Sequence, residues 1–273
     1  MATRIEKDFL GAKELPDDAY YGVQTLRGKE NFHITGISMS TEPYFVKAFG
    51  YVKKAAALAN RDLGVLDARI ADAIVGACDR LIAGEMRDQF VTDFIQGGAG
   101  TSTNMNANEV IANLALEHLG HRKGEYQFVS PNDHVNFGQS TNDVYPTALH
   151  LALILRLGRF QEALRRLQQA FFDKAAEFDR VLKMGRTHLQ DAVPMSLGQE
   201  FHGWGTTIGE EMHRIQDVRG HLTEVNLGAT AIGTSVTAVP GYPDLATRHL
   251  ADITGIPFVL AHDLIEATSD TGD

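Results

Sequence analysis

Between residues 143 and 224 the chain carries two long helix-compatible runs, 143–178 and 197–224, separated by one short polar stretch. At 1.5 Å per residue the first run extends over roughly 50 Å, longer than a compact α/β domain wraps. Two such rods in succession predict an antiparallel pair belonging to a helical bundle. Pro146 fits the first turn of the first rod, where a missing N–H costs nothing. Ser196-Leu197-Gly198-Gln199 has the pattern of a capping box and opens the second. That second rod contains Gly198, Gly203, Gly205 and Gly209, each costing up to ~1 kcal/mol of helix stability relative to alanine. They are either tolerated weaknesses or points of close helix–helix approach in an assembly, and the sequence leaves both open.

Helical periodicity continues upstream. Residues 42–62 and 67–83 show apolar spacings of three and four at Phe45, Phe49 and Val52 and at Ile70, Ile74 and Leu81. Cys78 shares the apolar face of the second and is read as core. A further helix is expected from about Asn104 to Leu119, with Gly120 as its C′ residue. The first forty residues carry turn signals in "PDDAYYG" and "ITGIS" and leave room for short hairpins. No convincing strand is expected elsewhere. The fold class is therefore mainly α. An irregular, partly helical N-terminal domain (1–141) precedes the first part of an incomplete central helical bundle (142–273).

Charge and hydropathy exclude several partners. With 35 acidic against 25 basic residues and a net charge of −10, the chain has no basic stripe for nucleic acid. Its most apolar run, "ALHLALILRL" (148–157), holds His150 and Arg156 and is too short to span a bilayer, so no membrane partner is expected. The charged N-terminus has no apolar signal region, and a lone cysteine fits a reducing cytoplasm, the expected location.

The chemistry concentrates in three polar stretches, each read as a loop directly before a helix: "GAGTSTN" (98–104), "QSTND" (139–143) and "GRTHLQDAVP" (185–194). Helix N-termini present unpaired N–H groups and a partial positive charge, which favour carboxylate or phosphate. Hydroxyls at Thr101, Ser140, Thr141 and Thr187 add neutral donors. No lysine follows the glycines of the first stretch, so a Walker phosphate cradle is excluded. Ordinary N-capping accounts for any one stretch; three together point to a ligand site. In the third, a cation (Arg186), a hydroxyl (Thr187) and an imidazole (His188) adjoin. Neutral His188 can accept a hydrogen bond from an ammonium group or shuttle a proton. The remaining histidines lack metal-pair spacing, and we assign neither metal nor cofactor.

These stretches, with "AYYGVQTLR" (19–27), "SPNDHVNFGQSTND" (130–143), "NLGATAIGT" (226–234) and "DLIEATSDTGD" (263–273), resemble the aspartase/fumarase superfamily along the whole chain. Within it the likeness is greater to the aspartate ammonia-lyases. Class II fumarases have Trp-Gly in place of Tyr21-Gly22, a double serine in place of Ser140-Thr141, and a second acidic residue in place of His134. "FHGWG" (201–205) leans weakly towards fumarase.

The resemblance implies a four-carbon dicarboxylate substrate, L-aspartate or fumarate, and an aci-carboxylate intermediate. Preorganised neutral donors would stabilise the charge that develops. Thr101, Ser140 and Thr141 would hold the β-carboxylate. Asn142 and His188 would bind the amino group that leaves as ammonia, with His188 as the catalytic residue within the chain, and Thr187 would touch the α-carboxylate. The family also implies a homotetramer whose active sites draw on several subunits. Two departures stand out. No stretch of the family's form G-S-S-x-M-P-x-K-x-N-P, which carries the serine base, occurs in these residues, and Arg186 is taken as the one cation the motifs offer. Gly138 replaces the usual Ser or Cys, a change expected to loosen the second loop. The alternatives are an ammonia-lyase portion that is inactive by itself, a fumarase-type hydratase, and a non-catalytic helical module for assembly or ligand binding.

Overall fold

The structure, a computed structural model, describes residues 2–98 and 100–270. Ala99 of the first polar stretch and the last three residues of "DLIEATSDTGD" lie outside the described residues. Contacts divide the chain into two compact units, Met1–Ala152 with Thr223–Asp273, and Leu153–Leu222.

In the first unit a hairpin of β1 (Thr3–Asp8) and β2 (Gly11–Pro16) leads to α1 (Val23–Asn31), then α2 (Pro43–Asp62), α3 (Ala68–Ile82) and α4 (Thr101–His118). The hairpin falls where the turn signals left room for one. α2 is alanine-rich and buried nearly all round, with Ala48, Phe49, Val52, Ala55, Ala56 and Ala59 shielded from solvent. Small side chains let neighbours approach on both flanks, and α3 and α7 (Tyr242–Thr254) pack there. Cys78 is a buried free thiol at this interface. α4 ends where expected, with Leu119 as C-cap and Gly120 beyond it at a φ of 83°.

The long rod α5 (Thr141–Glu177) runs unbroken through Gly158. It begins two residues earlier than expected, which moves Pro146 out of the first turn and into the helix interior. Proline has no N–H to return to the carbonyl four residues back, Asn142. The Nδ2 of Asn226 takes that place, donating to the Asn142 carbonyl at 3.1 Å. Downstream, β5 (Glu224–Val225) pairs in parallel with β6 (Val259–Leu260), and α8 (Glu266–Ser269) closes the described chain.

The second unit contains the remainder of α5, a hairpin of β3 (Leu182–Thr187) and β4 (Gln190–Ser196), and α6 (Leu197–His221). The capping box at the start of α6 is present in both directions between Ser196 and Gln199. α5 and α6 are antiparallel. Going up α6, Gly198, Gly205 and Gly209 meet Ala175, Phe172 and Gln168 in descending order on α5. A Cβ at Gly205 would lie 2.6 Å from the Phe172 ring, and one at Gly198 would overlap the Ala175 carbonyl. These glycines therefore serve close approach within the chain itself, whereas a Cβ at Gly203 would meet nothing. Trp204 packs 4.9 Å from Phe201 between ring centroids, in a cluster with Phe171 and Phe178.

The β3–β4 hairpin corrects the sequence reading, which placed "GRTHLQDAVP" as a loop ahead of a helix. Thr187 pairs with Gln190, leaving His188 and Leu189 as a two-residue turn with φ of 49° and 62°. Two successive left-handed residues are the type I′ geometry that suits strand twist, but Asn-Gly or Asp-Gly usually signals it. Neither dipeptide occurs here, and Pro194, paired with Met184, further disguises the strand. Among the described residues no helix is long and apolar enough to cross a membrane.

Candidate active site

The first polar stretch turns into α4 through Gly100, whose φ of 89° lies in the left-handed region. A side chain there would overlap the Tyr145 ring of α5, so glycine is required twice over, by conformation and by space. Thr101 is the first helical residue and is exposed. The Gln96 carboxamide oxygen accepts the Thr103 N–H at 2.7 Å and so caps the helix from the preceding loop.

The asparagines that follow face inward. Asn106 bridges the Gln89 carbonyl (2.9 Å) and the Val91 N–H (3.0 Å). Asn104 and Asn108 both donate to Asn136 Oδ1, at 3.1 and 3.2 Å, and Asn104 also reaches Thr141 Oγ1 at 3.2 Å. They bolt the second polar stretch to α4.

Sequence reasoning missed the residue beneath that junction. Lys53, on α2, is fully buried, and its ammonium donates to Asn136 Oδ1 and Gln139 Oε1, each at 2.9 Å. Burial drives Lys53 down to about 7, with Asp143 opposing that shift. Asp143 is also fully buried; loss of solvent raises it to about 7 against the pull of the Thr230 and Ser140 N–H groups and of Lys53. Its carboxylate accepts from Thr230 N at 2.8 Å and Ser140 N at 3.2 Å. A lysine in an alanine-rich helix reads as a solvated residue, and nothing local in the sequence marks it as buried.

Ser140, Thr141 and Asn142 form the bend into α5. Ser140 Oγ accepts the Asn142 N–H at 3.2 Å, and the Asn142 amide donates to the Ala231 carbonyl at 2.7 Å. Gly138 does not loosen this segment by default. Its φ of 71° is a conformation glycine adopts without strain, and its backbone sits beside Asn60 and Tyr242.

Thr187 and His188 are exposed in the second unit, His188 at the hairpin turn. They stand several residues ahead of α6, so the helix N-terminus argument does not apply to them. Arg186, read as the cation of the site, pairs with Asp191 across the hairpin at 3.0 Å.

In the first unit, a cavity of about 570 Å³ is lined by Gly98 and Gly100 of the first stretch, by Asn142 of the second with Tyr145 and Pro146 beyond it on α5, and by Thr268, Ser269 and Asp270. Two helix N-termini thus serve one void. A second cavity, of about 530 Å³, brings Thr101 and Ser102 together with Gln24 and Arg27. Arg27 is therefore a cation beside Thr101 that the motif count overlooked; Asp8 holds its guanidinium through two bonds, at 2.8 and 2.9 Å. Neutral donors at two helix starts suit a small carboxylate; Arg27 lines the second cavity, where Glu30 also stands.

The sequence profile described as Lyase matches residues 11–273, and the chain belongs to that family. It is 58% identical over 272 residues to the aspartate ammonia-lyase of Pseudomonas aeruginosa, covering 99% of this chain and 57% of that one. Among solved structures it superposes with a TM-score of 0.97 on a fumarate lyase:delta crystallin from Brucella melitensis bound to cobalt, at 52% identity over 99% of this chain and 59% of the other. A class II fumarase from Schistosoma mansoni superposes at 0.87, with 35% identity over 93% of this chain and 53% of the other. The chain spans a little over half the length of these relatives.

Proposed function

We propose that the chain is part of an aspartate ammonia-lyase, which removes ammonia reversibly from L-aspartate to give fumarate through an aci-carboxylate. The observation that carries this reading is the pair of helix starts opening on one cavity, lined by Gly98 and Gly100 of the first stretch and Asn142 of the second, with Asp270 also on its wall. The 58% identity to a protein of that name supports it. Thr101, Ser140 and Thr141 hold the β-carboxylate where charge builds. Asn142 and His188 receive the amino group, and Thr187 contacts the α-carboxylate.

Residues 142–273 open the central bundle, and four copies share their active sites. Exposed Leu153, Phe160 and Leu167, spaced by seven along α5, support such helix-on-helix assembly. The single buried cysteine favours a cytoplasmic setting.

A base must come within roughly 2.6–3.2 Å of the proton it takes, or act through one water. Asp143 is committed to two backbone N–H groups, and Asp191 to Arg186. The 273 residues by themselves are therefore expected to deaminate aspartate negligibly. The protein extended over its relatives' remaining length is expected to be active. The test is fumarate formation from L-aspartate, followed by ultraviolet absorbance. Thr101→Ala in the extended protein should lower turnover by about 10²-fold, the scale of losing one preorganised donor, and His188→Ala should lower it through loss of the acceptor for the amino group. Robust fumarate production by residues 1–273 would refute the placement of the base. Fumarate from L-malate but not from aspartate would hand the assignment to a class II fumarase.

A further inference from the structure

The segment 226–231 grips the start of α5 at three points. Asn226 Nδ2 donates to the Asn142 carbonyl (3.1 Å), the Asn142 amide donates to the Ala231 carbonyl (2.7 Å), and the Thr230 N–H donates to Asp143 (2.8 Å). Only the NH₂ end of a carboxamide can donate to a carbonyl. The bond to Ala231 therefore fixes which way the Asn142 amide faces and leaves Oδ1 as its remaining acceptor. An ammonium group offers donors only, so Oδ1 is the end that can bind it.

The grip is built into the fold. Pro146 removes the intrahelical partner of the Asn142 carbonyl, which makes Asn226 its substitute. Thr230 is buried and held at a φ of 64°, a left-handed conformation unfavourable for a β-branched residue. Strain of this kind persists where the surroundings over-determine the backbone. Here the surroundings are the buried carboxylate of Asp143, which also draws in the Ser140 N–H.

We propose that Asn226 and Asp143 are positioning residues that hold the Asn142 amide with its oxygen turned to the substrate's amino group. The proposal rests on the reading of Asn142 given above. Both act through Asn142.

The test uses the protein extended over its relatives' length, with Asn226→Ala and with Asn226→Leu, which is close in size but cannot donate. In the reverse reaction, each is expected to raise the half-saturating ammonium concentration about tenfold and that of fumarate less than threefold. A merely structural role would raise both together, and equal shifts, or none, would overturn the proposal. Hydrogen exchange of residues 139–147 gives a readout independent of turnover. It should quicken in both Asn226 variants and in Asp143→Asn, and unchanged exchange would likewise overturn the proposal. If the unaltered protein makes no fumarate from aspartate while the variants still quicken exchange in 139–147, the assigned reaction fails and the positioning stands.

Discussion

The Asn142 carbonyl, left without a helical partner by Pro146, accepts the side-chain amide of Asn226 at 3.1 Å from a segment more than eighty residues downstream. Removing that donor strands a carbonyl, which costs roughly 1–3 kcal/mol where it is buried. Asn226→Ala should therefore lower the urea midpoint. Pro146→Ala restores an N–H that can serve the same carbonyl within the helix. The double variant should then lose less than the sum of the single changes, and strict additivity in the double-mutant cycle would count against the substitution of one donor for another.

Glu109 accepts the N–H groups of Gly22 (2.9 Å), Gln24 (2.9 Å) and Thr25 (3.0 Å) and so caps α1 from α4. Burial raises this carboxyl to about 7 while Thr25 and Gln24 pull it down. Replacing it strands several buried donors at once. Glu109→Ala should cost about 3 kcal/mol by chemical denaturation, with α1 exchanging its amides first. A loss under ~0.5 kcal/mol would show that α1 is held by its other contacts.

The glycines of α6 should divide sharply. Gly203→Ala meets open space and should stabilise the protein by ~0.5–1 kcal/mol, the helix-propensity gain. Gly198→Ala and Gly205→Ala meet the Ala175 carbonyl and the Phe172 ring and should each destabilise by ~1–3 kcal/mol. Thermal unfolding of the three variants side by side separates these outcomes; a uniform gain would mean that α5 and α6 are not in close contact.

Asp93 gathers the N–H groups of Ile95 (2.9 Å), Gly36 (2.9 Å) and Thr35 (3.0 Å) and the Thr35 hydroxyl (2.7 Å). Burial alone would raise it, but these donors prevail and hold it at about 2, below its ordinary 3.8. A depressed carboxylate contributes stability above its unfolded pKa and loses it as pH falls through the folded one. The 35–37 turn should therefore loosen as pH falls from about 4 to 2. Asp93→Asn should flatten that part of the stability–pH curve, and an unaltered slope would rule out this carboxylate as its source.

What the sequence determined by itself is the set of features that depend on neighbours along the chain. Apolar spacing marks α2 and α3, length marks α5 and α6, Ser196 and Gln199 cap each other within a single turn, and Gly120 ends α4. The polar stretches were legible as donor-rich helix starts for α4 and α5 because capping chemistry is local. Tertiary structure alone decided the rest, since those outcomes depend on residues brought together from far along the chain. Lys53 is buried because Asn136 and Gln139 arrive to receive its ammonium. Pro146 is tolerated inside a helix because Asn226 arrives to replace its N–H. His188 and Leu189 turn left-handed without glycine because the strands on either side pair and hold them there. Such outcomes follow from which groups meet in space, and a burial or strain offset by a distant partner leaves no period or spacing in the sequence to read.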